Sequence, residues 1–188
     1  MRPDAVVLGC SAGGLQALTR LFAGLAPQLP VPVIVVCHTG AEDVALLCEL
    51  LARTSALPVE EAREREPPRP GVIHLAPSGY HLHLERDGRF ALSIDPKVCY
   101  CRPAIDVLFA AAADCWRERV LAVVLTGAND DGAAGLKAVR SRGGTGIVQL
   151  PADAEVATMP EAALRVAGAD QVLPLADIAA AINRLCLP

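Results

Sequence analysis

The sequence predicts an α/β fold: a doubly wound, mainly parallel sheet with helices on both faces and one antiparallel hairpin. Three observations predict it. The apolar runs Ala5–Cys10, Pro32–His38 and Val120–Leu125 are continuous rather than alternating, as in strands covered on both faces. They are separated by stretches of helical period, such as Leu15, Leu18, Leu21, Phe22 and Leu25. The interior must also be aliphatic, because aromatics are only 3% of a chain that is 53% hydrophobic, while 15 Gly and 15 Pro supply many tight connections.

The elements follow in order. Ala5–Cys10 is a strand that turns at Ser11-Ala12-Gly13-Gly14 into the first helix. Pro32–His38 carries four consecutive β-branched residues, Val33-Ile34-Val35-Val36, and precedes an amphipathic stretch from Glu42 to Arg53. A short strand at Val59–Ala62 leads into the charged, Pro-rich loop Arg63–Pro70, and Val72–Ala76 is again a strand. His81–Glu85 and Arg89–Ile94 alternate around Asp87-Gly88, the signature of a hairpin turn with positive φ. Asp106–Arg117 is helical, Val120–Leu125 a strand and Ala133–Arg142 a helix. A strand at Gly146–Gln149, a helix around Glu161–Ala167, a strand at Gln171–Leu173 and a helix at Ala176–Leu185 complete the chain. At 188 residues without repeat or linker, the expectation is a single domain over 1–188.

Composition excludes several roles. A net charge of −4 gives no basic footprint for nucleic acid or anionic lipid, so neither is expected as a partner. No apolar run approaches the roughly 18 residues needed to insert across a bilayer. Seven scattered cysteines without a C-x-x-C pair read as reduced thiols of a cytoplasmic protein. Val7-Leu8-Gly9-Cys10 has the outline of a lipoprotein cleavage box, but the nine residues before Cys10 are too few for a signal peptide.

In an open parallel sheet, ligands gather at the carboxyl ends of the strands. Three such ends carry the groups of a hydrolytic triad: Ser11 after the first strand, His38 at the end of the second, and Asp130-Asp131 after Val120–Leu125. Gly9-Cys10-Ser11-Ala12-Gly13 fits G-x-S-x-G, whose small residues let a serine stand on a sharp turn. The order Ser, His, acid differs from the Ser, acid, His of α/β-hydrolases and disfavours that fold. Each residue also has a structural explanation: Ser11 as the cap of the first helix, His38 as a satisfied strand-end imidazole, and Asp130 or Asp131 as the cap of the helix after Gly132. The glycine turn matches neither working phosphate-binding motif. His74, His81 and His83 lack a third ligand at metal spacing, which leaves His81 and His83 as an exposed hairpin face.

The ordered succession of motifs resembles the catalytic domain of the CheB-type protein-glutamate methylesterases. It comprises Gly9-Cys10-Ser11-Ala12-Gly13-Gly14, the strand ending in His38, Pro70-Gly71-Val72-Ile73-His74-Leu75-Ala76-Pro77, Arg102-Pro103-Ala104-Ile105-Asp106, Leu125-Thr126-Gly127, Asp131-Gly132-Ala133-Ala134-Gly135-Leu136 and Met159-Pro160. The resemblance implies hydrolysis of glutamyl methyl esters on chemoreceptors, with glutamine deamidation in some members. It implies Ser11 as nucleophile, His38 as base, Asp131 rather than Asp130 as orienting acid, backbone oxyanion donors at Ala12 and Ala128, and no metal or organic cofactor.

This chain departs from the family pattern around the triad. Ala128-Asn129 stands where Met-Gly is usual; a backbone donor survives the loss of Met, and Asn tolerates positive φ better than most residues. Cys37 replaces the Gln before the base, and Thr39-Gly40 replaces the Met-Pro after it. Ala104 replaces a Ser, and the stretch after Gln149 lacks an acidic pair. The first strand starts four residues after Met1, so the resemblance gives no receiver domain; the enzyme would act alone or take its regulation from a partner in trans. The rivals to a chemoreceptor methylesterase are a non-catalytic binding module that keeps the fold and an esterase for a different ester.

Overall fold

The computed structural model describes residues 2–38 and 44–188. Nine strands and six α-helices lie within these residues: β1 (Ala5–Cys10), α1 (Gly14–Ala23), β2 (Val33–Cys37), α2 (Val44–Ala52), β3 (Val59–Glu61), β4 (Ile73–Leu75), β5 (His81–Leu84), β6 (Phe90–Ser93), α3 (Ile105–Trp116), β7 (Val120–Val124), α4 (Ala133–Ser141), β8 (Thr145–Gln149), α5 (Thr158–Val166), β9 (Gln171–Leu173) and α6 (Leu175–Cys186). Seven strands form one wholly parallel sheet in the order β3-β4-β2-β1-β7-β8-β9. The chain winds outward from β1 through β2, then returns to build the other half from β7. The order therefore reverses between β1 and β7, where the loops after the two strands diverge and leave a crevice.

Alternate side chains of each strand enter two separate cores. Val6, Leu8, Val33, Val35, Leu121 and Val123 pack against α1, α2 and α6, while Val7, Ile34, Val36, Ala122 and Val124 pack against α3, α4 and α5. Burial on both sides is why these strands lack polar alternation. β5 and β6 pair antiparallel as a sheet of their own, with register His81↔Ser93, and Leu82 and Phe90 join the core on the α3 side. The hairpin thus covers a helix and leaves the parallel sheet unbroken.

Some expected boundaries move. α5 begins at Thr158 rather than near Glu161, because Pro160 sits in its first turn, where its missing N–H costs no internal hydrogen bond. α3 stops at Trp116, and Arg117–Arg119 tighten into a 3₁₀ turn. The start of the stretch expected from Glu42, and Thr39-Gly40, lie outside the described residues. Among the described residues no helix is long and apolar enough to cross a membrane.

Candidate active site

Ser11 leaves β1 with its main chain tied down. Its amide donates to the Thr126 carbonyl at 3.0 Å, and its carbonyl accepts from the Gly14 amide at 2.7 Å. On the next strand, the His38 amide donates to the Cys10 carbonyl at 3.0 Å, continuing the Cys10↔Cys37 register. Ser11 and His38 therefore depart from adjacent strands at consecutive positions. Ser11 does not cap α1: the N-cap is Gly13 at φ 77°, with no side-chain bond. Among the described residues the half-buried Ser11 hydroxyl forms no hydrogen bond.

Asp131 is fully buried at the head of α3. Its Oδ2 accepts from the Ile105 amide at 2.7 Å and its Oδ1 from the Asp106 amide at 2.9 Å, so the first turn of a helix stabilises the carboxylate. The same Oδ2 lies 3.0 Å from His38 Nε2. That separation has the length of an ion pair, but among the described residues Nε2 makes no aligned hydrogen bond and is a buried nitrogen without a partner. Asp130 is exposed, and its carbonyl accepts from the Ala133 amide. The helix after Gly132 is capped by Gly132 itself, so neither aspartate takes the capping role considered for it there.

Two glycines bring these pieces together. A Cβ on Gly9 would stand 2.4 Å from Ile105 Cγ2. One on Gly132, whose φ is 97°, would stand 2.9 Å from the same atom. The head of α3 thus presses directly on the ends of β1 and of the β7–α4 loop, which places its amides against Asp131.

The other imidazole nitrogen, His38 Nδ1, faces Cys101 Sγ at 3.5 Å, and Asn129 Nδ2 donates to the same sulfur at 3.4 Å. Asn129 Oδ1 accepts from the Asp131 amide at 3.3 Å. Asn129 does not take up a positive φ; it serves through its side-chain amide. Burial, with Asp131 adding to it, pushes the Cys101 thiol up despite the Asn129 bond, and burial and three nearby carboxylates push Cys99 up to about 12. Both are neutral thiols. A cavity of about 220 Å³ opens beside His38, lined in part by Ser78, Lys97, Tyr100, Cys101 and Arg102.

Among the described residues, the amides of Ala12 and Ala128 donate to no backbone or side-chain acceptor. Thr126 holds the two loops that carry them. Its hydroxyl donates to the Ala12 carbonyl at 2.9 Å and accepts from the Val156 amide at 2.9 Å, while its own amide donates to Gln149 Oε1 at 2.9 Å.

The expected exposed face at His81 and His83 is corrected. His81 is buried, accepting from the Ala104 amide at 3.2 Å with its other nitrogen 3.1 Å from the Pro96 carbonyl, and His83 is half-buried against Ser93. The segment after β6 folds back over the strand start, which alternation within the hairpin does not reveal. His74, also buried, lies between Glu60 and the Arg69 amide. Among the described residues, none of the three histidines joins a cluster with metal-ligand spacing.

The sequence profile described as CheB methylesterase matches residues 6–182. The chain belongs to the CheB methylesterase family. A Leptospira interrogans protein named protein-glutamate methylesterase/protein-glutamine glutaminase is 39% identical over 98% of this chain and 96% of its own length. A Bradyrhizobium diazoefficiens protein of the same name, from a group 2 operon, is 40% identical over 98% of this chain but only 48% of its own length. The crystal structure of the Thermotoga maritima CheB methylesterase catalytic domain superposes with a TM-score of 0.93 at 33% identity, covering 98% of this chain and all of that one. The doubly wound CheB fold is therefore shared at the level of the whole chain.

Two residues that shape this CheB site escaped sequence reasoning about the triad. Cys101 lies in an irregular segment with no periodicity to orient it. Asp106 was visible only inside a family motif, yet its Oδ1 accepts the Gly132 and Gly135 amides at 2.9 and 2.6 Å.

Proposed function

We propose that this chain is a cytoplasmic serine hydrolase that demethylates glutamyl methyl esters, and deamidates glutamine side chains, on a chemoreceptor-like protein. Family membership supports the reaction class. The observation that carries the residue assignment is the 3.0 Å approach of His38 to a buried, helix-stabilised Asp131, at the strand end next to Ser11.

The chemistry follows from the positions. Ser11 Oγ attacks the ester carbonyl while His38 accepts its proton through Nδ1, the nitrogen turned away from Asp131. Asp131 fixes the tautomer and stabilises the imidazolium. The Ala12 and Ala128 amides donate to the oxyanion. His38 then protonates the departing methanol, and water attacking the acyl-Ser11 ester by the same route releases the glutamate carboxylate. In the resting protein Nδ1 faces Cys101 and Nε2 is not aligned on Asp131; substrate binding brings the first to Ser11 and the second into line with the carboxylate, as catalytic hydrogen bonds commonly tighten in the Michaelis complex.

The test is methanol release from a methylated receptor fragment, together with labelling by a serine-directed probe read by mass spectrometry. Ser11→Ala should lower the rate by roughly 10⁴–10⁶-fold and abolish labelling. Undiminished methanol release from that variant would remove Ser11 from the mechanism. Tight receptor binding with no labelling of the parent protein would favour a non-catalytic module.

A further inference from the structure

We propose that His38, Cys101 and Asp131 form a binding site for a soft divalent cation of the zinc class, and that occupancy withdraws His38 from proton transfer. The second half of this proposal rests on the catalytic reading above; the binding itself does not.

The donor set is one imidazole, one thiol and one carboxylate, a combination that favours zinc over magnesium or calcium. One ligand atom from each residue lies within 4.8 Å of the other two. With zinc bonds of about 2.0–2.3 Å, a tetrahedral centre spaces nitrogen and oxygen about 3.3 Å apart and nitrogen and sulfur about 3.6 Å apart. His38 Nε2 and Asp131 Oδ2 are already 3.0 Å apart, while Cys101 Sγ sits 3.5 Å from Nδ1 of the same ring, so the sulfur must swing to the Nε2 side to complete the set.

A second, independent observation points the same way. Among the described residues, His38 Nε2 is a buried nitrogen with no aligned hydrogen-bond partner, facing a carboxylate oxygen. A separation of 3.0 Å is close to the spacing of two ligands on one ion. A metal placed there gives the orphaned nitrogen its partner. The cavity beside His38 and Cys101 leaves room for water in the fourth position. A neighbouring cluster of Cys99, Asp106 and Asp131 shares the carboxylate, so Cys99 is the competing sulfur that the experiment must distinguish.

The test begins with chelator-treated full-length protein titrated with Co²⁺ as a spectroscopic stand-in for zinc. Tetrahedral d–d absorption and a thiolate-to-cobalt charge-transfer band are expected, both erased by added Zn²⁺. Cys101→Ala and Cys101→Ser should lose the charge-transfer band, whereas Cys99→Ala and Ser11→Ala should keep it. In the ester assay, Zn²⁺ should inhibit and a chelator restore the rate, while Mg²⁺ at equal concentration should do neither. Relative to its own zinc-free rate, Cys101→Ser should need about tenfold more Zn²⁺ or higher for half inhibition. No charge-transfer band in the parent, or a band that survives both Cys101 variants, overturns the site. Cobalt binding through Cys101 with undiminished hydrolysis under Zn²⁺ overturns the withdrawal of His38. Failure of the serine reading would register separately, as hydrolysis persisting in Ser11→Ala with the cobalt spectrum intact.

Discussion

Asp131 and Asp106 cap each other's helices. Asp131 accepts the two amides that open α3, the helix carrying Asp106, while Asp106 accepts the Gly132 and Gly135 amides at the start of α4, immediately after Asp131. Two carboxylates that would repel in the open are held together because each is paired with the positive end of a helix.

This exchange separates the two adjacent aspartates by function. On the proposed mechanism, Asp131→Asn should lower kcat by about 10⁴-fold, since an amide at Oδ2 would no longer hold the imidazole tautomer needed to accept the serine proton. Asp130→Asn, at an exposed position, should leave kcat within about twofold of the parent, as surface changes away from such features usually do. Steady-state methanol release decides between them, and equal losses would mean that Asp131 acts only through the fold.

Asp106 is expected to matter chiefly to stability. Asp106→Ala strands two amides and should cost about 2 kcal/mol in urea denaturation, and Asp106→Asn, which retains an acceptor oxygen, should recover most of it. Burial raises the Asp106 carboxyl, with the Gly135 and Gly132 amides opposing and Asp131 adding to the rise. The native state therefore holds that proton longer than the unfolded chain. This contribution to stability falls as pH rises through the window just above the ordinary carboxylate value, and Asp106→Asn should lack it.

Gly132→Ala places a Cβ against Ile105 at a φ of 97° that side chains rarely adopt. The cost should be about 2 kcal/mol, seen as a fall in Tm of about 4–8 °C for a chain of this size. Activity should fall as well, because relief of the clash moves the head of α3 away from Asp131.

Burial lowers the His74 pKa, outweighing the opposing pull of Glu60, and burial together with His81 lowers that of His83. The unfolded chain therefore takes up protons first on acidification. Their contribution to stability is complete above the ordinary histidine pKa and is lost as pH falls below it toward the depressed native values. Urea midpoints measured between pH 7.5 and 5.5 should decline, and the decline should shrink in His74→Gln.

The parallel sheet was legible because two-sided burial writes itself as unbroken runs such as Val33-Ile34-Val35-Val36, and the hairpin because Gly88 in Asp87-Gly88 turns at φ 81°. Ser11, His38 and the aspartate pair were legible as polar residues at strand ends. Spacing did not choose between Asp130 and Asp131; family resemblance named Asp131, and the structure sets it beside His38. Cys101, Asn129 and the burial of His81 were not legible. Each depends on how the irregular chain between β6 and α3 folds over the sheet edge, and a path set by tertiary packing leaves no period in the sequence.

The strand order also has a consequence for biosynthesis. In chain order Ser11 and His38 follow β1 and β2, whereas Asp131 follows β7, which pairs with the other side of β1. A chain that stops before β7 would carry Ser11 and His38, the proposed nucleophile and base, without Asp131. On the proposed mechanism, hydrolytic competence should switch on only once the second half of the sheet is in place.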